Sequence, residues 1–187
     1  MLKYQLYTLD FFASLLILVL VLRMIIRLAG GAQAIITPIL LLTDWLVRPL
    51  ARIFRPWRGL ETAALPAALI VAFGQIIIEL LLRGITFWKQ PGITLPTIGV
   101  RALLQVTEII LQTATVVIFI AVLASWLRLQ GPLVAAATGL AFWMLAPIRR
   151  LIRPIGGIDF SPLIAMFLLL LAGQACRDAI ALLRNFL

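Results

Sequence analysis

Glu79, Glu108, Arg177 and Asp178 stand inside or at the ends of long apolar runs, where a charge is costly unless it is paired or meets water. Groups so placed can join helices through ion pairs and hydrogen bonds, or line a path for protons, ions or polar solutes. Gln105, Glu108, Gln112 and Thr115 recur at i, i+3, i+7 and i+10, one stripe on a helix. Enzymatic chemistry is harder to assemble. The 187 residues include no histidine and one cysteine, Cys176, so a His-based acid/base pair, an ordinary zinc site and a His-ligated haem are all excluded. We expect no catalytic residue, no cofactor and no metal, and a non-enzymatic role.

The elements that position these residues must be membrane helices. The chain is 64% hydrophobic and 12% charged, with mean hydropathy +1.15, whereas a soluble domain carries about 25% charged residues. A net charge of +9 suggests nucleic acid in a soluble protein, but here the arginines occupy short connections between apolar runs. They fit orientation and anionic lipid instead. Four segments are long and apolar enough to span, at about residues 9–26, 63–82, 102–127 and 163–183. The first resembles a signal-peptide core, but Arg23 and Arg27 directly follow it, as basic anchors follow a retained span.

Two further apolar stretches, about 35–54 and 132–153, read as basic amphipathic helices lying at the interface. Arg48, Arg52 and Arg55 fall on one face of the first; Arg149, Arg150 and Arg153 cluster on the second. The segment Pro49 to Gly59, PLARIFRPWRG, is a fainter copy of Pro147 to Gly157, PIRRLIRPIGG, and the register extends from Trp45/Trp143 to Leu65/Leu163. The chain therefore reads as an all-α membrane protein of two tandem repeats: residues 1–84, a linker at 85–101, and residues 102–187. With two spans per half, Arg27, Arg48, Arg52, Arg55, Arg58, Arg128, Arg149, Arg150 and Arg153 share the cytoplasmic side. Both termini lie outside, together with Arg83, Lys89 and Arg101. In that register Arg177 is the counterpart of Glu79, and a Glu79–Arg177 pair across the pseudo-twofold is an expectation.

The second copy continues as Gly156-Gly157-Ile158-Asp159-Phe160-Ser161-Pro162. Gly156 and Gly157 permit a sharp turn, Ser161 can cap a helix that Pro162 then begins, and Asp159 can cap a neighbouring amide or pair with Arg150 or Arg153. With Pro147, Arg149 and Arg150, this run resembles the signature of the YggT (YlmG) family of small bacterial and plastid membrane proteins. The first half departs from it, with Ala51 for the first arginine, Arg58 for the first glycine, Glu61 for the aspartate, and Thr62-Ala63-Ala64 for Phe-Ser-Pro.

The resemblance implies a membrane-support role. Bacterial members are linked to osmotic tolerance, cation homeostasis and cell division, and plastid members to thylakoid organisation and b-type cytochrome maturation. The expected function is that of an accessory or scaffold protein of the bacterial cytoplasmic membrane. Its partners would be anionic lipid, other integral membrane proteins and a second copy of itself, and no nucleic acid. A small transporter or channel component, with Glu79, Glu108 and Arg177 on a polar path, is the competing expectation.

Overall fold

The computed structural model describes residues 2–28, 33–54, 62–84, 94–151 and 159–186. Six helices lie among them: α1 (Leu2–Leu28), α2 (Gln33–Ala51), α3 (Ala64–Leu82), α4 (Leu95–Trp126), α5 (Pro132–Leu151) and α6 (Ser161–Phe186). An all-helical fold follows from the composition, because a span in hydrocarbon must satisfy its own backbone. By length and composition, α1, α3, α4, α5 and α6 are apolar enough to cross a membrane, five helices where four were expected. The addition is α5, which carries no charge before Arg149. Residues 95–101, expected as linker, form the first two turns of α4.

The helix ends are set by local chemistry. Thr94 has extended backbone angles, and its hydroxyl accepts from the Thr97 amide while the Thr97 hydroxyl accepts from the Thr94 amide. This reciprocal cap, followed at once by Pro96, starts α4 inside what resembles a proline-rich linker. Gly84, at φ +68, stops α3. At the end of α4, Arg128 takes the left-handed conformation at φ 52, and the Leu129 amide closes back onto the Ala124 carbonyl. Pro132 then opens α5, so α4 and α5 are joined by a tight corner. Pro49 and Pro147 lie inside the last turns of α2 and α5.

Small residues let the first half pack closely. Ala64, Ala68 and Ala72, at i, i+4 and i+8, are all buried, and with Ala67 they form the face that α3 turns to its neighbours. Ile17, Leu20 and Val21 of α1, Val47 of α2, and Ile98, Ala102 and Val106 of α4 complete this core. A smaller core joins α4, α5 and α6 through Ile118, Ala121, Ala141, Leu145 and Ala165. In each half the three helices all touch one another: α1, α2 and α3 in the first, α4, α5 and α6 in the second. The halves meet where α4 packs against α3 and α1, with a smaller contact between α1 and α5.

Candidate functional site

A polar network of the apolar helices starts at one end of the bundle, where α3 ends and α4 begins. Gln75 and Glu79 are one turn apart on α3, and Arg101 and Gln105 one turn apart on α4. Two rungs join them: Arg101 Nη2 donates to Glu79 Oε2, and Gln105 Nε2 donates to Gln75 Oε1 at 2.7 Å. Two such rungs fix the helices as antiparallel. Gln75 Nε2 also donates to Asp10 Oδ1 of α1 at 2.8 Å, and Arg83 Nη2 to Glu79 Oε1 at 2.6 Å. Gln75, Glu79 and Arg101 are 5%, 2% and 4% exposed, so the ladder is an interior network holding α1, α3 and α4 together. Arg101 Nε is buried without a hydrogen-bond partner among the described residues.

The stripe continues along α4 onto a second group. Arg177 Nη1 of α6 donates to Glu108 Oε1 at 3.2 Å, and Gln112 Nε2 to the same oxygen at 2.9 Å. Within α6, Gln174 Nε2 donates to Asp178 Oδ1 at 2.9 Å, and Gln174 Oε1 accepts from Arg177. The expected Glu79–Arg177 pair is not made. Glu79 is taken by Arg83 and Arg101, and Arg177 by Glu108. Positions that correspond in a repeat are related by rotation and need not touch; here α3 packs on one flank of α4 and α6 on another. The neighbours Glu108–Arg177 and, further along, Phe119 and Leu163 in one groove make α4 and α6 antiparallel as well.

Basic clusters gather at the other end of the helices. Arg23, buried in α1, donates through Nη1 to Thr43 Oγ1 at 2.7 Å and Asp44 Oδ1 at 2.8 Å on α2. Arg48 grips the other Asp44 oxygen at 2.9 Å. Burial pushes the Asp44 carboxyl up, but the hydrogen bond and charge of Arg23, with Arg48 behind them, win and leave it below its ordinary value. In the second half Arg149 Nε donates to Asp159 Oδ2 at 2.9 Å, with its guanidinium 5.2 Å from the centre of the Phe142 ring. Asp159 Oδ1 accepts from the Ser161 amide at 2.9 Å, so Asp159 supplies the cap at the start of α6, and Pro162 lies in the first turn. Ser161 holds the Asp159 carboxyl below its usual range, its amide donating to Oδ1 while its buried hydroxyl makes no hydrogen bond among the described residues, and Arg149 adds to this against the cost of burial.

A family model described as CCB3/YggT matches residues 100–180. Over 151 residues the chain is 32% identical to the uncharacterized protein YggT of Escherichia coli K12, covering 78% of this chain and 73% of that protein. The chain belongs to the CCB3/YggT family. An uncharacterized protein of Haemophilus influenzae is 30% identical over 138 residues, 73% of this chain and 70% of its own length. No solved structure matches. The CCB3/YggT segment begins just before Arg101 and runs past Arg177 and Asp178. It therefore contains the α4 side of the ladder, the whole Glu108 group and the Arg149–Asp159 cap.

In this CCB3/YggT chain, Glu79, Glu108, Arg177 and Asp178 all join polar groups, and Arg48, Arg149 and Asp159 form ion pairs. Arg52 and Arg150 are exposed. Arg55, Arg58, Lys89, Arg153, Gly156 and Gly157 lie outside the described residues. Asp10, Arg23, Thr43, Gln75 and Arg101 were missed as site residues. A signal was present for two of them: Gln75 precedes Glu79 by one turn, and Arg101 extends the Gln105, Glu108, Gln112 stripe by one turn. Among the described residues there is no group of three or more His, Cys, Asp or Glu that can hold a metal ion.

Proposed function

We propose that this protein is a non-enzymatic accessory or scaffold protein of the bacterial cytoplasmic membrane, built from two repeats of a span, an interfacial basic helix and a second span. On this reading α1, α3, α4 and α6 cross the membrane, both termini lie outside, and α2 and α5 lie on the cytoplasmic face. The antiparallel course of α4 and α6 is the observation that carries it. A helix joined to the C-terminus of one span and the N-terminus of an antiparallel one begins and ends on the same side, so α5 adds no crossing despite its apolar composition. The same three-way contacts in the two halves support placing α2 likewise. Trp45, Phe142 and Trp143 are exposed on these helices, at positions suited to headgroup depth.

The internal pairing of Glu79, Glu108 and Arg177 supports a structural use of the intramembrane charges. The surface left for partners is then the cytoplasmic one. Arg48, Arg52 and Arg150 are exposed there, and each basic residue near an anionic surface is worth about 1 kcal/mol. Changing Arg48, Arg52 and Arg150 to Gln, with the Arg149–Asp159 cap intact, should reduce recovery of membrane partners and anionic lipid from mild detergent at least severalfold while insertion is unchanged. Recovery equal to wild type would defeat the reading. Arg101, Gln105, Glu108 and Gln112 on one face of α4 favour a second reading, a polar path for an ion or solute. Flux in proteoliposomes that Glu108→Gln abolishes would establish that path in place of the scaffold.

A further inference from the structure

The face that α4 and α6 share is polar at a depth where lipid has nothing to offer a polar group. Gln112 lies about 16 Å further along α4 than Arg101, which pairs with Glu79 close to the C-terminal end of α3. That places Gln112 near the middle of a hydrocarbon core about 30 Å thick. Gln112, Gln174, Arg177 and Asp178 are all exposed. The bonds they make, to one another and to Glu108, use part of what two amides and two charges can form. Such a face is stable in a membrane when protein covers it.

The same two helices form an open groove of ≈ 620 Å³ beyond the polar patch, with Val116 and Phe119 on one wall and Leu163, Phe167 and Leu170 on the other. Along α6, Leu163, Phe167, Leu170, Gln174, Arg177 and Ala181 recur at i, i+4, i+7, i+11, i+14 and i+18, the spacing of a helix-packing seam, and all six are exposed. α6 buries 11% of its most apolar window against 39% for α3, so the seam is a face that the other described residues do not cover.

We infer that a second copy of this chain covers the seam, with the two α6 helices packed in parallel about a twofold axis along the membrane normal. Copies inserted with one orientation can form a closed pair only about such an axis, so residues on the axis meet their own counterparts, and residues flanking it on one side meet those that flank the other side, at the same depth. The residues present satisfy that condition. A Gln174 amide both donates and accepts, and by exchanging one of the two Arg177 bonds to its oxygen it pairs with another Gln174, as a polar residue does when it fixes the register of a helix pair. Arg177 stands beside Asp178, so the base of each copy meets the acid of the other across the axis. Leu163, Phe167 and Leu170 pack on themselves. The patch is its own complement in charge and in hydrogen bonding, whereas the exposed Tyr4, Tyr7, Phe11 and Leu15 of α1 form an apolar stripe that lipid satisfies.

This inference rests on the reading that α4 and α6 cross the membrane. The test places single cysteines at Leu163, Leu170 and Gln174, and at Ala172 on the opposite face of α6, in a Cys176→Ser background, followed by oxidative crosslinking in native membranes. Dimers of this chain should form at Leu163, Leu170 and Gln174 at least tenfold more efficiently than at Ala172. No dimer at any position in inserted protein, equal yield on both faces, or bonds to a different protein would each overturn the inference. Labelling of Leu170→Cys by a membrane-impermeant maleimide would overturn it too, and would identify the crossing of α6 as the step that failed. The scaffold reading fails separately, on partner recovery by the Arg48, Arg52 and Arg150 variant. Leu163→Cys and Leu170→Cys leave every polar contact in place, so the result does not depend on tolerance of change at Gln174.

Discussion

Arg101 of α4 donates to Glu79 of α3, and the two side chains are 5% and 3% exposed. A pair so deeply buried couples its partners: breaking one costs about 3–5 kcal/mol, whereas removing both is often close to neutral; with Arg101 gone Glu79 still holds Arg83, which keeps the loss toward the lower end of that range. Arg101→Met should therefore lower the melting temperature in detergent, and adding Glu79→Gln should recover most of that loss. Equal additive losses, read by size-exclusion after heating, would show that the pair is not coupled.

Gln75 belongs to the same ladder but carries no charge. Gln75→Leu removes its bonds to Asp10 and Gln105, and interhelical hydrogen bonds in membranes average about 0.6 kcal/mol each. The expected loss is about 1 kcal/mol, well below that of Arg101→Met. A larger loss than Arg101→Met gives in the same assay would mean that the amide, rather than the ion pair, organises the helices.

The two rungs also show what was legible from the sequence. The apolar runs located α1, α3, α4 and α6 to within a turn or two at most ends, because hydrocarbon demands helix and sets its length. Pro96 and Gly99 resemble loop residues and so suggest a linker up to Arg101, yet a proline just inside a capped N-terminus is a helix-start signal. Asp10 and Gln75 are not legible as partners because their contact depends on which faces of α1 and α3 meet, which spacing alone does not give. Glu79–Arg177 failed for the converse reason: repeat register identifies equivalent positions, not neighbours.

Acid should act through the start of α6. Asp159 has a folded-state value depressed below its ordinary 3.8, chiefly through Ser161 and then through Arg149. Its ionised form is the one the fold prefers, so its contribution is fully present above that ordinary value and is lost as pH falls through the lower folded one. The melting temperature of wild type should exceed that of Asp159→Asn at pH 7, and the gap should close below about pH 4. A gap that widens in acid would contradict the assigned direction.

The apolar helix α5 decides between four crossings and five. Were α5 to cross, Gln130 before it and Arg150 near its end would lie on opposite sides of the membrane. On the proposed reading, in which α4 and α6 both cross, their antiparallel course puts the two on one side, since the same short connections must return the chain to the start of α6. In a Cys176→Ser background, Gln130→Cys and Arg150→Cys should both be blocked by an impermeant maleimide applied to inside-out vesicles and both be spared in intact spheroplasts. Opposite labelling at the two positions would make α5 a span and move the Arg149–Asp159 cap to the other face. Protection of Phe142→Cys, midway along α5 and exposed, would then distinguish a buried crossing from a helix lying at headgroup depth, where intermediate labelling is expected.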